Sequence, residues 1–384
     1  MRRDFYQADH EAFRSAVRSF VQREVEPRHL EWDDAGHMDP GLWVTAGKQG
    51  LLGLAVPEEY GGGGVADYRY RCVISEELAR VGAASVNSHM SLYDDLVLPY
   101  LLDLGTPEQK QRWLPALCSG RATPALAITE PGAGSDLRGI STRARRSGDG
   151  WVLNGGKTFI TNGGHADVLI VVARTHPDGG ADGFTLFLVE KDAPGFTAGR
   201  SLDKLGQRGE NVAELFFDDV HVPVEAVLGT EGQAMRHLRD HLPTERTSIA
   251  VYALASAEAA FEWTLAHVRD RSVFGKAVAE FQHTRFELAE MRTELDITRA
   301  FMADAVLALN DMRLTPTDAA KAKWWATELQ QRVISRCLQL HGGYGYIREY
   351  PIARAFVDAR VQTIYGGTTE IMKDLIGRDL VRRR

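Results

Sequence analysis

Apolar residues in this chain change their rhythm twice along its length, and those two changes limit the fold more than any other feature. Residues 8–26 set Phe13, Val17, Phe20, Val21 and Val25 on one face at helical spacing, ending before Pro27. Helical texture continues through Tyr68–Arg80, Ser91–Leu104 and Pro107–Leu117, with Gly61–Gly64 as a loop between. Beyond about residue 120 the runs become short and β-branched or aromatic: Trp151–Leu153, Val168–Ala173, Phe184–Val189 and Glu214–Phe217. Gly, Pro and Asp clusters such as His176–Gly183 and Asp192–Gly195 cut them apart, which predicts a compact β domain, barrel-like in outline. From Glu231 the helical spacing returns at greater length, with Ile249, Ala253, Leu254, Ala257, Phe261, Leu265 and Val268 mostly three and four apart. Phe286–Leu309 and Ala319–Leu340 repeat it, rich in good helix formers, and point to a four-helix bundle. The expectation is a multidomain α+β fold: an N-terminal α-helical domain (1–120), a middle β-barrel-like domain (121–230) and a C-terminal helical bundle (231–384).

Bulk properties narrow the class. The 384 residues allow two to three domains, and 44% apolar with 25% charged residues is ordinary globular composition. A net charge of −7 offers nothing to attract phosphate backbones, so no nucleic-acid role is expected. The terminal Arg382, Arg383 and Arg384 read as a solvated end. Three distant cysteines, Cys72, Cys118 and Cys337, form no CxxC, so no metal site or disulfide framework is expected. That usage fits a reducing compartment. With no apolar h-region at the N-terminus and no run long enough for a membrane span, the sequence reads as cytoplasmic.

The densest local signal is Ala127–Gly139, AITEPGAGSDLRG. Glycines let a backbone take φ > 0 and approach a ligand closely, and the hydroxyls of Thr129 and Ser135 add donors and acceptors. Alone, such a run is as readily a surface turn. Four further segments accompany it: WVLNGGKTFITNG at Trp151–Gly163, RDRSVFGKAVAEFQ at Arg269–Gln282, QLHGGYGYIREYPIAR at Gln339–Arg354 and IYGGTTEIMK at Ile364–Lys373.

In this order, over an α–β–α layout, these segments resemble the acyl-CoA dehydrogenase family across nearly the whole chain. The resemblance implies FAD as cofactor, an acyl-CoA substrate, an electron-transfer flavoprotein as acceptor and a homotetramer. By residue, it implies that Leu126, Ile128, Thr129 and Ser135 contact the flavin and ribityl region, with Ser135 also near substrate. Phe159, Ile160 and Thr161 would pack beside the isoalloxazine, Phe159 standing where many relatives carry Trp. Arg271, Phe274, Gln282, Gln339, Gly342 and Gly343 would hold the adenine and pyrophosphate of a neighbouring subunit's FAD. Thr368 and Glu370 would close over the dinucleotide.

The family reaction removes an α-proton with a carboxylate while hydride leaves the β-carbon. Many relatives place that carboxylate directly before the Gly-Thr of the C-terminal loop, where this chain has Gly366, followed by Gly367. Only backbone can act there, donating an N–H to the thioester oxygen. The long-chain and isovaleryl branches carry the base on a helix of the C-terminal domain, and this chain has LPTERTSIA at the matching place. Pro243 and Thr244 look like a helix start, which would put Glu245 in the first turn. A first-turn Glu also simply complements the helix dipole. The empty position 366 decides for Glu245 as base, with Arg246 near the substrate entrance or holding the helix.

Asp94 and Asp95, in a segment implied to line the acyl cavity, are expected to face solvent, the alternative being a polar acyl pocket. Glu130 is expected to orient backbone. Other readings kept open are a carrier-protein-bound or secondary-metabolite acyl thioester, a flavin oxidase, and a non-catalytic flavoprotein scaffold.

Overall fold

The computed structural model describes residues 5–382; Met1–Asp4 and the tail residues Arg383 and Arg384 lie outside the described residues. The first third is helical: α1 (Ala8–Phe20), α2 (His29–Ala35), α3 (Gly41–Lys48), α4 (Arg69–Arg80), α5 (Ala84–Ser91), α6 (Leu98–Leu104) and α7 (Pro107–Cys118). One π-helical turn, Val21–Val25, extends α1, and another, Leu92–Val97, joins α5 to α6. The second precedes Pro99, which has no N–H to give the ladder. Widened turns of this kind are frequent at functional sites, and this one turns Leu92 and Leu96 towards an internal cavity.

The middle section holds β1 (Pro124–Ala127), β2 (Arg143–Ser147), β3 (Gly150–Thr161), β4 (Val168–Arg174), β5 (Phe184–Glu190), β6 (Phe196–Ser201), β7 (Val212–Pro223) and β8 (Val227–Leu228). Their order in the sheet is β6-β7-β3-β2-β4-β5-β8, with β1 parallel beside β4; the hydrogen-bonded path runs from β6 to β8 without closing. β4 is buried on both faces. Val168, Ile170 and Val172 join the N-terminal helical core, whereas Leu169, Val171 and Ala173 join a separate core with Trp151, Leu153, Leu215 and Phe217. Its continuous apolar run therefore reflects two covered faces.

The sequence reading stops one strand too soon. The apolar run Trp151–Leu153 ends at Asn154-Gly155-Gly156, residues of turn type, yet β3 runs through them for 12 residues in all, its register against β7 shifting after Leu153 and again after Lys157. Asn154 anchors the first shift, its amide donating to Asp219 Oδ1 at 2.9 Å. Gly155 is required there: φ is +147° and a Cβ would come within 2.6 Å of Thr142 Cα.

The C-terminal section begins with α8 (Ala234–Asp270), followed by the small hairpin β9 (Ser272–Val273) and β10 (Lys276–Ala277). The helices α9 (Gln282–Asn310), α10 (Pro316–His341), α11 (Pro351–Ala359) and α12 (Thr369–Arg382) complete it. α8 spans 37 residues and contains Pro243. The expected helix start at Pro243 and Thr244 is therefore overturned, and Glu245 lies well inside the helix. An interior proline frees the carbonyl four residues back; here that residue is Arg239, which is exposed, so water can take the bond.

Candidate active site

Glu245 lies on one stripe of α8 with Ser248, Ile249 and Tyr252, three, four and seven residues on. That stripe forms one wall of a cavity of about 100 Å³. Facing it are Asn87, Ser88 and Ser91 of α5, with Thr161 at the end of β3 and Tyr365 and Gly366 of the loop before α12. Ser91 and Ser248 hydroxyls meet at 3.3 Å, tying the two helices across the cavity.

The Glu245 carboxyl is 7% exposed, and burial pushes its pKa up to about 7. Three groups pull the other way: the Tyr100 hydroxyl, donating to Oε1 at 3.0 Å, and the charges of His241 and Arg246. Tyr100 is itself stacked on His241, ring centroids 4.0 Å apart, and His241 pairs with Asp103 at 3.2 Å. Burial opposes charge on that imidazole, but Asp103 and backbone carbonyls outweigh it and raise its pKa. A carboxyl so held is dry, oriented and near neutral in its titration, which suits a general base. Tyr100→Phe removes a hydrogen bond to the charged form, and the apparent pKa of turnover is expected to rise by about one unit. A pH–rate profile that superposes on the parent's would contradict that placement.

Asp94 and Asp95 do not face solvent. Asp95 is 1% exposed and accepts from Arg71 Nε at 3.1 Å, from Tyr68 and from Ser248. Asp94 accepts from the amides of Leu54 and Gly53. A buried carboxylate without such partners would be prohibitive, so the acidic pair is internal bracing for the cavity wall.

The glycine loop follows β1. Leu126 within β1 and Ile128 and Thr129 of the loop are half-buried, and Ser135 is exposed. Thr129 O accepts from Thr158 N at 2.9 Å, stitching the loop to β3. Glu130 orients backbone, as expected: its carboxylate accepts from Ser141 N, Thr142 N and the fully buried Lys157, which also donates to Ile128 O. The loop glycines do not act through positive φ; Gly132, Gly134 and Gly139 all avoid it. At Gly132 and Gly134 a Cβ would meet nothing within 4 Å, so the missing side chains leave open backbone for a ligand.

Phe159 sits at the second register shift of β3 with φ +58° and its ring 67% exposed. A bulky residue held in left-handed backbone is uncommon and gathers at functional sites. Ile160 beside it is buried, while Thr161 reaches the cavity.

A second cluster forms at the far end of the helical section. Arg271 caps α8 and lies 5.6 Å over the Tyr344 ring; Phe274, at the hairpin tip, is 95% exposed with φ +51°. Gln282 opens α9, Gln339 is on α10, and Gly342 and Gly343 follow it directly. A stacked pair, His267 and His341 at 4.3 Å, brings these elements together. Arg271, Gln282, Gln339, Gly342 and Gly343 are all exposed, and a Cβ at either glycine would meet open space. Thr368 accepts from Ile371 N as a cap of α12, whose first turn carries exposed Glu370. The structure thus assembles Glu245, Arg246, Thr161, Gly366 and Gly367 in one place and the Arg271 group in another. Tyr100, Ile249 and Lys323 were missed; only Ile249 has a sequence signal, its place on the Glu245 stripe.

The chain matches the N-terminal, middle and C-terminal domains of acyl-CoA dehydrogenase over residues 7–121, 125–220 and 233–381. It is 47% identical over 382 residues to the long-chain specific acyl-CoA dehydrogenase, mitochondrial, of Rattus norvegicus, covering 99% of this chain and 88% of the relative. It is 36% identical over 374 residues to isovaleryl-CoA dehydrogenase, mitochondrial, of Oryza sativa subsp. japonica, covering 97% and 91%. The crystal structure of acyl-CoA dehydrogenase from Geobacillus kaustophilus aligns with a TM-score of 0.95 at 43% identity, covering 98% and 99%.

Fold and cavity together define an oxidoreductase that dehydrogenates acyl-CoA with FAD. The chain belongs to the acyl-CoA dehydrogenase family. Among the described residues no helix is long and apolar enough to cross a membrane.

Proposed function

We propose that Glu245 is the base that removes the α-proton of the bound acyl-CoA. The observation that carries this is a buried carboxyl, raised to about 7, in one cavity with a Gly366 that has no side chain to offer. As the α C–H bond gives its proton to Glu245, the β-carbon loses hydride and the Cα–Cβ double bond forms, giving the trans-2-enoyl thioester. FAD, when bound, supplies the hydride acceptor. The residues present fit it: Thr129 and Ser135 offer hydroxyls, Gly132 and Gly134 open backbone, and Phe159 an exposed ring face against which a flat ring can pack. Leu126, Ile128, Ile160 and Thr161 complete that wall.

Negative charge develops on the thioester oxygen as the proton leaves. The amides of Gly366 and Gly367 donate to no oxygen among the described residues, which leaves them for that task. Arg246 holds the loop, donating from Nε to Gly366 O at 3.3 Å, and Ser135 contributes on the loop side.

Arg271, Phe274, Gln282, Gln339, Gly342 and Gly343 would serve the FAD of a neighbouring subunit in a homotetramer, with Thr368 and Glu370 closing over the dinucleotide. The Arg271 guanidinium suits a pyrophosphate, and its exposure within one chain suits a shared site. We divide the chain at about 120 and 230, as the elements suggest. An electron-transfer flavoprotein remains the proposed acceptor and the cytoplasm the proposed compartment, although the rat and rice relatives are named as mitochondrial.

The pH dependence tests the base. Glu245 must be ionised to act, and its pKa is raised, so flavin reduction is expected to climb as pH rises through about 7 and to level off above. Stopped-flow bleaching of the flavin by acyl-CoA between pH 5 and 9 reads this directly. A rate already at its plateau at pH 5 would remove Glu245 from the role.

A further inference from the structure

Lys323 is a charged group that the reaction as described does not use. It lies in α10 at 0% exposure. Among the described residues its ammonium makes no ion pair with a carboxylate; its hydrogen bond runs from Nζ to the carbonyl of Gly367, at 2.7 Å. The charges of Glu328 and Glu370 favour the ammonium but neither pairs with it, and burying an unpaired ammonium is costly, so a purely structural contact with one carbonyl is a poor return. Burial, and then the charge of Arg246, push its pKa down to about 8.

What the ammonium touches explains its presence. Gly366 and Gly367 take φ of +63° and +98°, conformations in which a loop changes direction sharply. Their two carbonyls are both occupied by buried cations, Gly366 O by Arg246 and Gly367 O by Lys323. Their two amides are both unoccupied, and Gly366 lines the cavity that holds Glu245. In a planar trans peptide the C=O of one residue and the N–H of the next point in opposite directions, so Arg246 on Gly366 O fixes the Gly367 N–H, while Lys323 on Gly367 O fixes the next plane and so holds the loop from the far side of Gly367. The loop is clamped by its carbonyls and presents its amides.

We propose that Lys323 is a positioning residue of the dehydrogenation: by holding Gly367 O it pins the C-terminal side of the loop, and with Arg246 on the other side keeps the free amides of Gly366 and Gly367 directed at the thioester oxygen beside Glu245. This rests on the site reading given above. The ammonium touches neither substrate nor FAD; it acts through the loop. Misplacement of reacting groups by about 1 Å can cost on the order of 100-fold, and loss of one oxyanion donor about 100- to 1,000-fold.

The test compares Lys323→Met, Lys323→Gln and Lys323→Arg in the FAD-loaded enzyme. Lys323→Met keeps the length of the side chain and removes the buried charge, so its melting temperature is expected to equal or exceed the parent's. Its rate constant for flavin reduction is expected to fall by about 10- to 100-fold, with KM within about threefold. The second readout is the ionisation of 3-thiaoctanoyl-CoA, a substrate analogue that loses its α-proton but has no hydride to transfer. Its bound enolate, seen as a long-wavelength absorption band against the oxidised flavin, is expected to titrate about one to two pH units higher in Lys323→Met. Lys323→Arg, which can still hold Gly367 O, recovers part of both, and Lys323→Gln, which keeps a neutral N–H, falls between. Should Lys323→Met fail to fold, Lys323→Gln carries the same test. Parent-like reduction and parent-like analogue ionisation in the charge-free variants would overturn the inference. A parent enzyme that fails to ionise the analogue, or a Glu245→Gln variant that ionises it normally, would instead overturn the site reading beneath it.

Discussion

Glu245→Gln is expected to bind FAD and acyl-CoA normally and to reduce its flavin about 100- to 10,000-fold more slowly than the parent enzyme. The amide keeps the shape of the carboxyl and can still accept from Tyr100, so the cavity has no reason to collapse. Only the proton acceptor is lost. Stability should move in the opposite direction from activity, and the sign follows from the raised pKa. Between the unfolded value near 4.5 and the folded value of about 7, the native state keeps a proton that the unfolded chain has released. Stability contributed by this group is therefore complete below 4.5 and lost as pH rises through 7, about 3 kcal/mol in all. Glutamine does not titrate, so the variant should gain on the parent as pH increases, unfolding at higher denaturant at pH 8 but not at pH 4. Slow reduction together with improved stability at pH 8 is a result that general damage to the fold cannot produce. Parent-like reduction would end the assignment.

The residues proposed for this site are more legible in the sequence than its geometry. The missing side chain at 366 and the acid at 245 are residue identities, and identity survives in a sequence however the backbone runs. Pro243 shows the limit. Proline favours a first helical turn, so local preference put the helix start there, but a helix packed along 37 residues tolerates one broken bond, here at the exposed Arg239. The Asn154-Gly155-Gly156 run failed for a similar reason: turn residues at a register shift look the same as turn residues between strands. Asp94 and Asp95 were read as surface because two adjacent acids rarely go inside. What brings Asp95 in is Arg71, 24 residues away on another helix, and spacing along the chain does not announce such a partner. Lys323 and Tyr100 are likewise defined by what they touch, Gly367 O and Glu245, each remote in sequence. Their roles come from tertiary contacts alone.

Moving the base back to position 366 is the second large effect, and the structure makes it conditional. In the Glu245→Gln background, Gly366→Glu alone is expected to leave the enzyme as inactive as its parent variant. A Cβ at 366 would lie 2.4 Å from Ile249 Cδ1, and φ there is +63°. A side chain in left-handed backbone costs on the order of 1–3 kcal/mol by itself. The clash adds displacement of the loop whose amides are proposed to face the thioester. Ile249 is the end of a flexible side chain on the same stripe of α8 as Glu245, so the obstacle is removable. Adding Ile249→Ala opens the space on the side where the new carboxylate must stand. The triple variant is expected to recover about tenfold or more over Glu245→Gln/Gly366→Glu, remaining below the parent because the loop still carries its backbone strain. Single-turnover flavin reduction across the four enzymes measures this. Rescue by Gly366→Glu without Ile249→Ala would show that Ile249 does not guard the position, whereas no rescue with both would show that a carboxylate at 366 cannot reach the α-proton in this cavity. If rescue does require Ile249→Ala, the pairing of an empty 366 with an acid at 245 is a single steric arrangement: Ile249 occupies the volume that a side chain at 366 would need, and Glu245, one turn earlier on the same helix, faces the cavity from the other wall.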